Sequence, residues 1–303
     1  MNDPGPFEAR YLAFLETIGH LRPRLHQYCA RMTGSLTDGE DVVQDALFQA
    51  YRKLDTFDDS RPLAPWLLRI AHNRCIDFLR SRGVREEAEF EGAGPLSVAE
   101  TTPVGPALGR AVEYLVVLLP PKERASVLLK DVFDYSLEEI AELVESTVGG
   151  VKAALNRGRT KLAALRDQRP TPRPISKQTS ELLHLYVQRF NERDWDGLRE
   201  LITADATLRL ADRYAGRFNE APYFAAYQGP FAALRMGVAV VDGETTLVAM
   251  SPDGDTWKPR AIVHLDVVDG RIGGIADYWY CPWVLDRAET LTIDAVSRPR
   301  SRP

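Results

Sequence analysis

Apolar positions recur at helical spacing through the first half of the chain and switch to strand-like alternation in the last third. Phe7, Tyr11, Phe14, Leu15 and Ile18 predict one amphipathic helix, and Leu25, Tyr28, Cys29 and Met32 a second. Asp38 to Phe57 predicts a third, with Val42, Val43, Ala46, Leu47, Ala50, Tyr51 and Leu54 on its buried stripe. Its opposite face carries Glu40, Asp41, Gln44 and Asp45. A fourth helix, from about Pro65 to Arg82, buries Trp66, Leu67, Ile70, Ile76 and Leu79. Its exposed side carries Arg69, Arg74, Arg80 and Arg82, with Arg85 just beyond.

A second helical pattern runs from Ser136 to Leu162, broken once near Glu145-Ser146. Ser136 with Glu139 three residues on reads as a capping box, and Ser146 suits the N-cap of a following helix. Two short helices joined by a tight turn form a helix-turn-helix. The charge divides across that turn: six acidic and no basic residues lie between Asp131 and Glu145, five basic and no acidic between Thr147 and Arg166. A phosphate backbone calls for the second kind of surface, so the second helix is the candidate DNA reader.

Between these patterns, residues 86–107 hold Glu86, Glu87, Glu89, Glu91 and Glu100 among Gly and Pro, an acidic flexible linker. Pro170, Pro172 and Pro174 mark an extended spacer over 168–176. Beyond it, Leu182, Leu183, Tyr186, Val187 and Phe190 predict a helix, and Leu198 with Leu201 another. A middle segment with Pro222, Gly229 and Pro230 flanks a short helix. Strands are expected at Ala206–Leu210, Val238–Val241, Thr245–Met250, Pro259–Val268 and Arg271–Tyr280, giving an α+β domain over 177–296. Asp269-Gly270 is a two-residue hairpin turn that pairs Val268 with Arg271, His264 with Ile275 and Ile262 with Asp277. One face then carries Arg260, Ile262, His264, Asp266, Ile275, Asp277 and Trp279. The other, nearly all apolar, carries Ala261, Val263, Leu265, Val267, Ile272, Ala276, Tyr278 and Tyr280.

At 303 residues the chain should hold two or three domains. A net charge of −5 argues against a protein that coats nucleic acid, while clustered basic residues leave site-specific DNA binding open. Apolar runs fall short of the ~20 residues a membrane span requires. The amino terminus lacks the parts of a signal peptide, and Cys29, Cys75 and Cys281 are isolated. A cytoplasmic protein with no membrane partner, no metal and no cofactor is expected.

Gly39-Glu40-Asp41-Val42-Val43-Gln44-Asp45-Ala46, followed by Trp66 to Asp77 (WLLRIAHNRCID), resembles region 2 of an extracytoplasmic-function (ECF) sigma factor. Leu119-Pro120-Pro121-Lys122-Glu123-Arg124 through Leu165 similarly resembles region 4. The resemblance implies two all-α sigma domains, region 2 over 7–85 and region 4 over 108–167. It also implies a transcription initiation factor whose chemistry is performed by the polymerase, so the chain itself is not an enzyme. Asp41, Gln44 and Asp45 match the surface that docks on the clamp helices of the polymerase β′ subunit; a solvated acidic face is the plain alternative. Arg61, Trp66, Arg69, Asn73, Arg74 and Arg80 match the part that opens the −10 element. Melting needs a cationic track for a single strand and a platform or pocket for an extruded base. Trp66 at helical spacing also reads as core, Asn73 as a surface residue, and Asp77 as a structural ion pair. By the same resemblance, the linker threads the polymerase and region 4 contacts the β flap.

In region 4, Lys152, Asn156, Arg157, Arg159 and Lys161 would face the −35 element. Two positions depart from the family pattern: Glu145 stands where the turn commonly has Gly, and Ala154 where Arg is frequent. Gly149-Gly150 also costs up to ~1 kcal/mol each in the first turn of the reader.

Asp269 to Tyr280 (DGRIGGIADYWY) closes a domain that resembles SnoaL-like domains, the cone-shaped fold of polyketide cyclases and ketosteroid isomerases. Such an extension implies regulation of the sigma factor in cis, through contact with the sigma core. His264, Asp266, Asp277, Trp279, Tyr278 and Tyr280 are its candidate pocket or contact residues. Three readings of that face stand together: a surface for the sigma core, a ligand pocket without chemistry, or a general base with a tyrosine oxyanion donor. The rival for the whole chain is a one-component helix-turn-helix regulator with a ligand-sensing domain, which would need neither the acidic docking helix nor the region 2 arginines.

Overall fold

Phe14, Leu25, Tyr28 and Met32 line up along one unbroken helix, α1 (Pro6–Thr33), where two were expected. Pro23 lies inside it and removes one backbone bond. Burial on both sides of the proline outweighs that loss, since each large apolar side chain contributes ~1.5–3 kcal/mol. The computed structural model describes residues 6–58, 60–92, 118–164, 175–211 and 213–294. The chain divides into two compact units, Met1–Thr171 and Pro172–Pro303.

In the first unit, α2 (Leu36–Arg52) starts at Ser35, whose hydroxyl accepts from the Asp38 N–H at 3.3 Å. Val42, Val43, Ala46 and Ala50 are buried as expected, but Tyr51 is exposed and Glu40 is inside. Glu40, at 0% exposure, meets the Arg22 guanidinium at 2.6 Å, so its charge is paired rather than solvated. Helix α3 (Leu63–Gly92) runs past the expected end at Arg82, and its backbone takes in residues 86–92 of the expected linker. The remainder of that linker, the start of region 4 up to residue 117, and the proline spacer up to residue 174 lie outside the described residues.

Helix α4 (Pro121–Val127) opens with Pro at its first position, where the missing N–H costs nothing. It runs on into a π turn, Leu128–Val132, in which the Phe133 N–H reaches the Leu128 carbonyl. The helix-turn-helix follows as α5 (Leu137–Leu143) and α6 (Val148–Ala164). The capping box is present: Ser136 accepts from the Glu139 N–H at 3.2 Å, and Glu139 from the Ser136 N–H at 2.7 Å. The second cap differs from expectation. Thr147, not Ser146, accepts from the Gly150 N–H at 3.0 Å. Glu145 takes a left-handed φ of 51° to make the turn. One continuous core joins Tyr28, Met32 and Cys75 to Val127, Leu128, Phe133, Ile140 and Val151, so regions 2 and 4 share their interior.

The second unit is α+β. Helices α7 (Lys177–Glu192), α8 (Trp195–Glu200) and α9 (Tyr223–Gln228) pack on a seven-stranded sheet of order β2-β1-β6-β5-β4-β3-β7. Its strands are β1 (Ile202–Leu210), β2 (Tyr214–Arg217), β3 (Arg235–Val241), β4 (Glu244–Asp253), β5 (Thr256–Val268), β6 (Arg271–Asp277) and β7 (Leu291–Ile293). A short helix, α10 (Pro282–Asp286), precedes β7. Pairing is antiparallel except between β1 and β6.

The β5–β6 hairpin turns at Asp269-Gly270, both with positive φ (50° and 75°), and Val268 pairs with Arg271 as expected. The register then slips. Gly273 is an extra residue between the pairs Val267–Ile272 and Asp266–Gly274. Leu265 therefore pairs with Ile275, His264 with Ala276, and Val263 with Asp277. The expected pairings of His264 with Ile275 and Ile262 with Asp277 are both corrected by this one bulge. It moves Asp277 and Ile275 onto the face of Val263 and Leu265, against the helices.

Candidate functional site

On α2, Asp45 is exposed and Asp41 and Gln44 are half-buried along one side of the helix. The Gln44 amide nitrogen is enclosed without a hydrogen-bond partner. Further along the same helix, Phe48 is 63% exposed and Tyr51 47%. The Tyr11 and Tyr51 rings meet at 5.8 Å. Isolated exposed apolar residues are ordinary, but Phe48 and Tyr51 on the helix that carries these carboxylates and the unpartnered amide form a surface that a partner could cover. The apolar half of it was missed, because Tyr51 fits a helical stripe as well as a docking patch.

Five arginines follow the polar side of α3 and the turn before it. Arg69 meets Glu145 at 2.7 Å, and Arg61 lies 3.6 Å from Asp58 and 3.8 Å from Glu142. Arg74 is paired with Asp77, Arg80 stands 3.7 Å from the same carboxylate, and Arg82 lies 3.6 Å from Asp38. Asn73 is exposed among them. Trp66 is half-buried with its ring 4.8 Å from Phe57, a packing role. Beneath the track, His72 Nδ1 and the Tyr28 hydroxyl share a 2.8 Å hydrogen bond, and burial lowers the His72 pKa to about 4.

Along α6 the expected DNA-facing residues separate into two sets. Lys152 and Asn156 are exposed one turn apart. Arg157 and Lys161 instead reach the Glu123 carboxylate of α4 at 2.8 and 2.9 Å, and those bonds hold Glu123 below the usual carboxylate range. Arg159 is held by Asp131 through its Nε at 3.0 Å. Ala154 is fully buried, so that position turns its side chain inward rather than toward DNA. Gly158 permits the α4–α6 approach, since a Cβ there would meet Val127 at 2.8 Å.

In the second unit the six candidate residues do not form one group. His264 and Asp266 lie together, 3.5 Å apart, with the Asp266 pKa lowered by the hydrogen bond from His264. The buried Tyr278 hydroxyl accepts from Arg209 at 2.8 Å, and Tyr280 is exposed under the Arg213 guanidinium. Trp279 packs on Phe231. Asp277 is buried beneath α9. Its Oδ2 accepts from both the Tyr223 and Tyr227 hydroxyls at 2.9 Å, and its Oδ1 from the Trp279 N–H at 2.9 Å. Burial raises its pKa even so. Tyr186 lies against this group with its hydroxyl unpartnered. The signal for the pair was Tyr223 and Tyr227 at helical i, i+4 spacing. Tyr223 also borders a cleft of about 590 Å³ lined by Arg199, Ile202, Phe218 and Phe224. Among the described residues, no three His, Cys, Asp or Glu side chains gather as a metal site. None of the described helices is long and apolar enough to cross a membrane.

Sigma-70 region 2 matches residues 17–85, and Sigma-70 region 4 matches residues 109–162, which defines the class as sigma-70 transcription initiation factors. The chain belongs, within that class, to the ECF RNA polymerase sigma factors. It is 32% identical over 162 residues to the ECF RNA polymerase sigma factor SigW of Bacillus subtilis, covering 50% of this chain and 87% of that one. It is 28% identical over 300 residues to SigG of Mycobacterium tuberculosis, covering 85% of this chain and 78% of that one. Among solved structures, the sigma factor RpoE of Bartonella quintana, in complex with the anti-sigma factor NepR, matches with TM-score 0.42 at 26% identity, over 50% of this chain and 96% of that one. The ECF sigma factor SigJ of Mycobacterium tuberculosis matches with TM-score 0.36 at 20% identity, over 87% of this chain and 95% of that one.

Proposed function

We propose that this sigma factor binds core polymerase through the α2 face of Asp41, Gln44 and Asp45, and that Phe48 and Tyr51 extend that contact. Region 2 guides the opened −10 strand with Arg61, Arg69, Asn73, Arg74 and Arg80. Region 4 reads the −35 element from α6, with Lys152 and Asn156 reaching base edges. Arg157, Arg159 and Lys161, already tied to carboxylates, act on the phosphate backbone. The observation that carries the reading is the α2 face, where exposed aromatic rings, a carboxylate and an unpartnered amide stand together. A DNA-binding repressor has no use for it.

The SnoaL-like domain regulates this activity in cis. Asp277 is saturated with donors inside the core, which suits a structural acid better than a general base. Run-off transcription with reconstituted polymerase tests both parts. Asp45→Arg is expected to abolish polymerase co-purification and transcription while leaving the circular dichroism spectrum unchanged; intact co-purification would end the docking assignment. Removal of residues 177–303 is expected to change transcript yield, and equal yields would remove the regulatory role.

A further inference from the structure

Beside the start of β1, the second unit carries a cleft of about 590 Å³ that is separate from the buried acid. Asp277, Tyr186 and Tyr227 do not border it; Tyr223 does, with its hydroxyl turned inward to Asp277 at 2.9 Å. Its wall is largely apolar, with the Phe218 and Phe224 rings 5.4 Å apart and Ile202, Ala204 and Ala221 around them. Among the described residues, β2 pairs with β1 only over Thr207–Leu210, which leaves Ile202, Thr203 and Ala204 to line the cleft. Arg199 is the one charged residue among those that line it. We propose that this cleft binds a small planar aromatic carboxylate, with its ring against Phe218 and Phe224 and its charge on Arg199. That such a ligand is the input to the cis control described above rests on that reading; the binding itself does not.

Size and lining select the ligand class. A cleft of this volume, mostly apolar with a few polar groups, is the ordinary form of a small-molecule site. Aromatic walls favour a ring over an alkyl chain, because ring-on-ring packing adds to the area buried. One lining cation with no lining carboxylate matches a single negative charge, whereas a nucleotide brings more charge than Arg199 can neutralise. The guanidinium is already placed for the task. It lies over the Phe224 ring at 5.8 Å, and its carboxylate partner is Asp196 at 2.6 Å, with the Asp196 side chain 95% exposed. An exposed pair of this kind holds little, so a carboxylate backed by an apolar wall can take the place of Asp196 on the same fork of donors. Asn219 and Gln228 add amides at the border for further polar groups on the ring.

The test titrates the full chain by calorimetry with 2-naphthoate and, separately, with the neutral 2-naphthalenemethanol. Naphthoate is expected to saturate at one per chain with a dissociation constant below about 1 mM, and the alcohol to bind about tenfold more weakly. Arg199→Gln should weaken naphthoate about tenfold and leave the alcohol unchanged. Ala204→Phe, at an exposed lining position, should abolish binding of both by filling the cleft. Naphthoate that fails to saturate, or that binds both variants as it binds the unmodified chain, overturns the site. In run-off transcription, naphthoate should change transcript yield from the full chain and not from Arg199→Gln. If removal of residues 177–303 changes yield while naphthoate does not, cis control stands and the aromatic acid is not its input. If that removal leaves yield unchanged, the control fails, and calorimetry still decides the site.

Discussion

Gly39 packs α2 tightly on α1, and a Cβ there would fall 2.5 Å from the backbone of Ala30. Backbone atoms cannot rotate away as a side-chain tip can, so Gly39→Ala must push the helices apart. A cost of ~1–3 kcal/mol, with a thermal midpoint lowered by several degrees, is expected; an unchanged midpoint would show that the interface relaxes freely. At this scale the sequence was legible where chemistry is local. The Ser136–Glu139 capping box follows from two residue types three apart. Glu40 was misjudged because its partner, Arg22, sits 18 positions away on another helix. A helical stripe reports a side chain's direction, not what awaits it there.

Among elements, the β5–β6 hairpin shows how one residue redistributes a face. Turn type was readable from Asp269-Gly270, whereas the bulge at Gly273 was not, since a glycine in a strand only permits an insertion. With Asp277 swung inward, its carboxylate depends on the Tyr223 and Tyr227 hydroxyls. Burial raises the folded pKa of Asp277 above its unfolded value, so its contribution to stability is full at low pH and lost as pH rises through the folded value. Tyr227→Phe removes one donor and should raise that pKa further. The variant is expected to lose ~1–3 kcal/mol at neutral pH and markedly less at pH ~4, by urea unfolding of the full chain at both. An equal loss at both values would mean that the acid is not the group being stabilised.

For the molecule as a whole, helix content, the helix-turn-helix and the change to α+β after the proline spacer were readable from periodicity. The joining of regions 2 and 4 through one core was not, because Tyr28, His72 and Phe133 read as three separate helical positions. His72 offers a measure of that core. Its folded pKa of about 4 lies below the ordinary histidine value of 6.5, so its contribution is complete above pH 6.5 and lost as pH falls toward 4. A gap of that size corresponds to ~3 kcal/mol. Burial lowers His26 in the same direction. The thermal midpoint of the first unit should therefore fall as pH drops from 6.5 to 4.5, and His72→Gln should flatten that slope. An unaltered slope would place the titration elsewhere.

The shared core also bears on how affinity for polymerase should be read. A partner that engages regions 2 and 4 separately meets only the fraction of molecules already apart. Its apparent dissociation constant is the intrinsic one divided by that fraction. With one molecule in about a hundred open, measured affinity would be about a hundredfold weaker than the contact surfaces alone provide. Substitutions at the buried Tyr28–Phe133 contact would then make the factor bind more tightly while making it less stable.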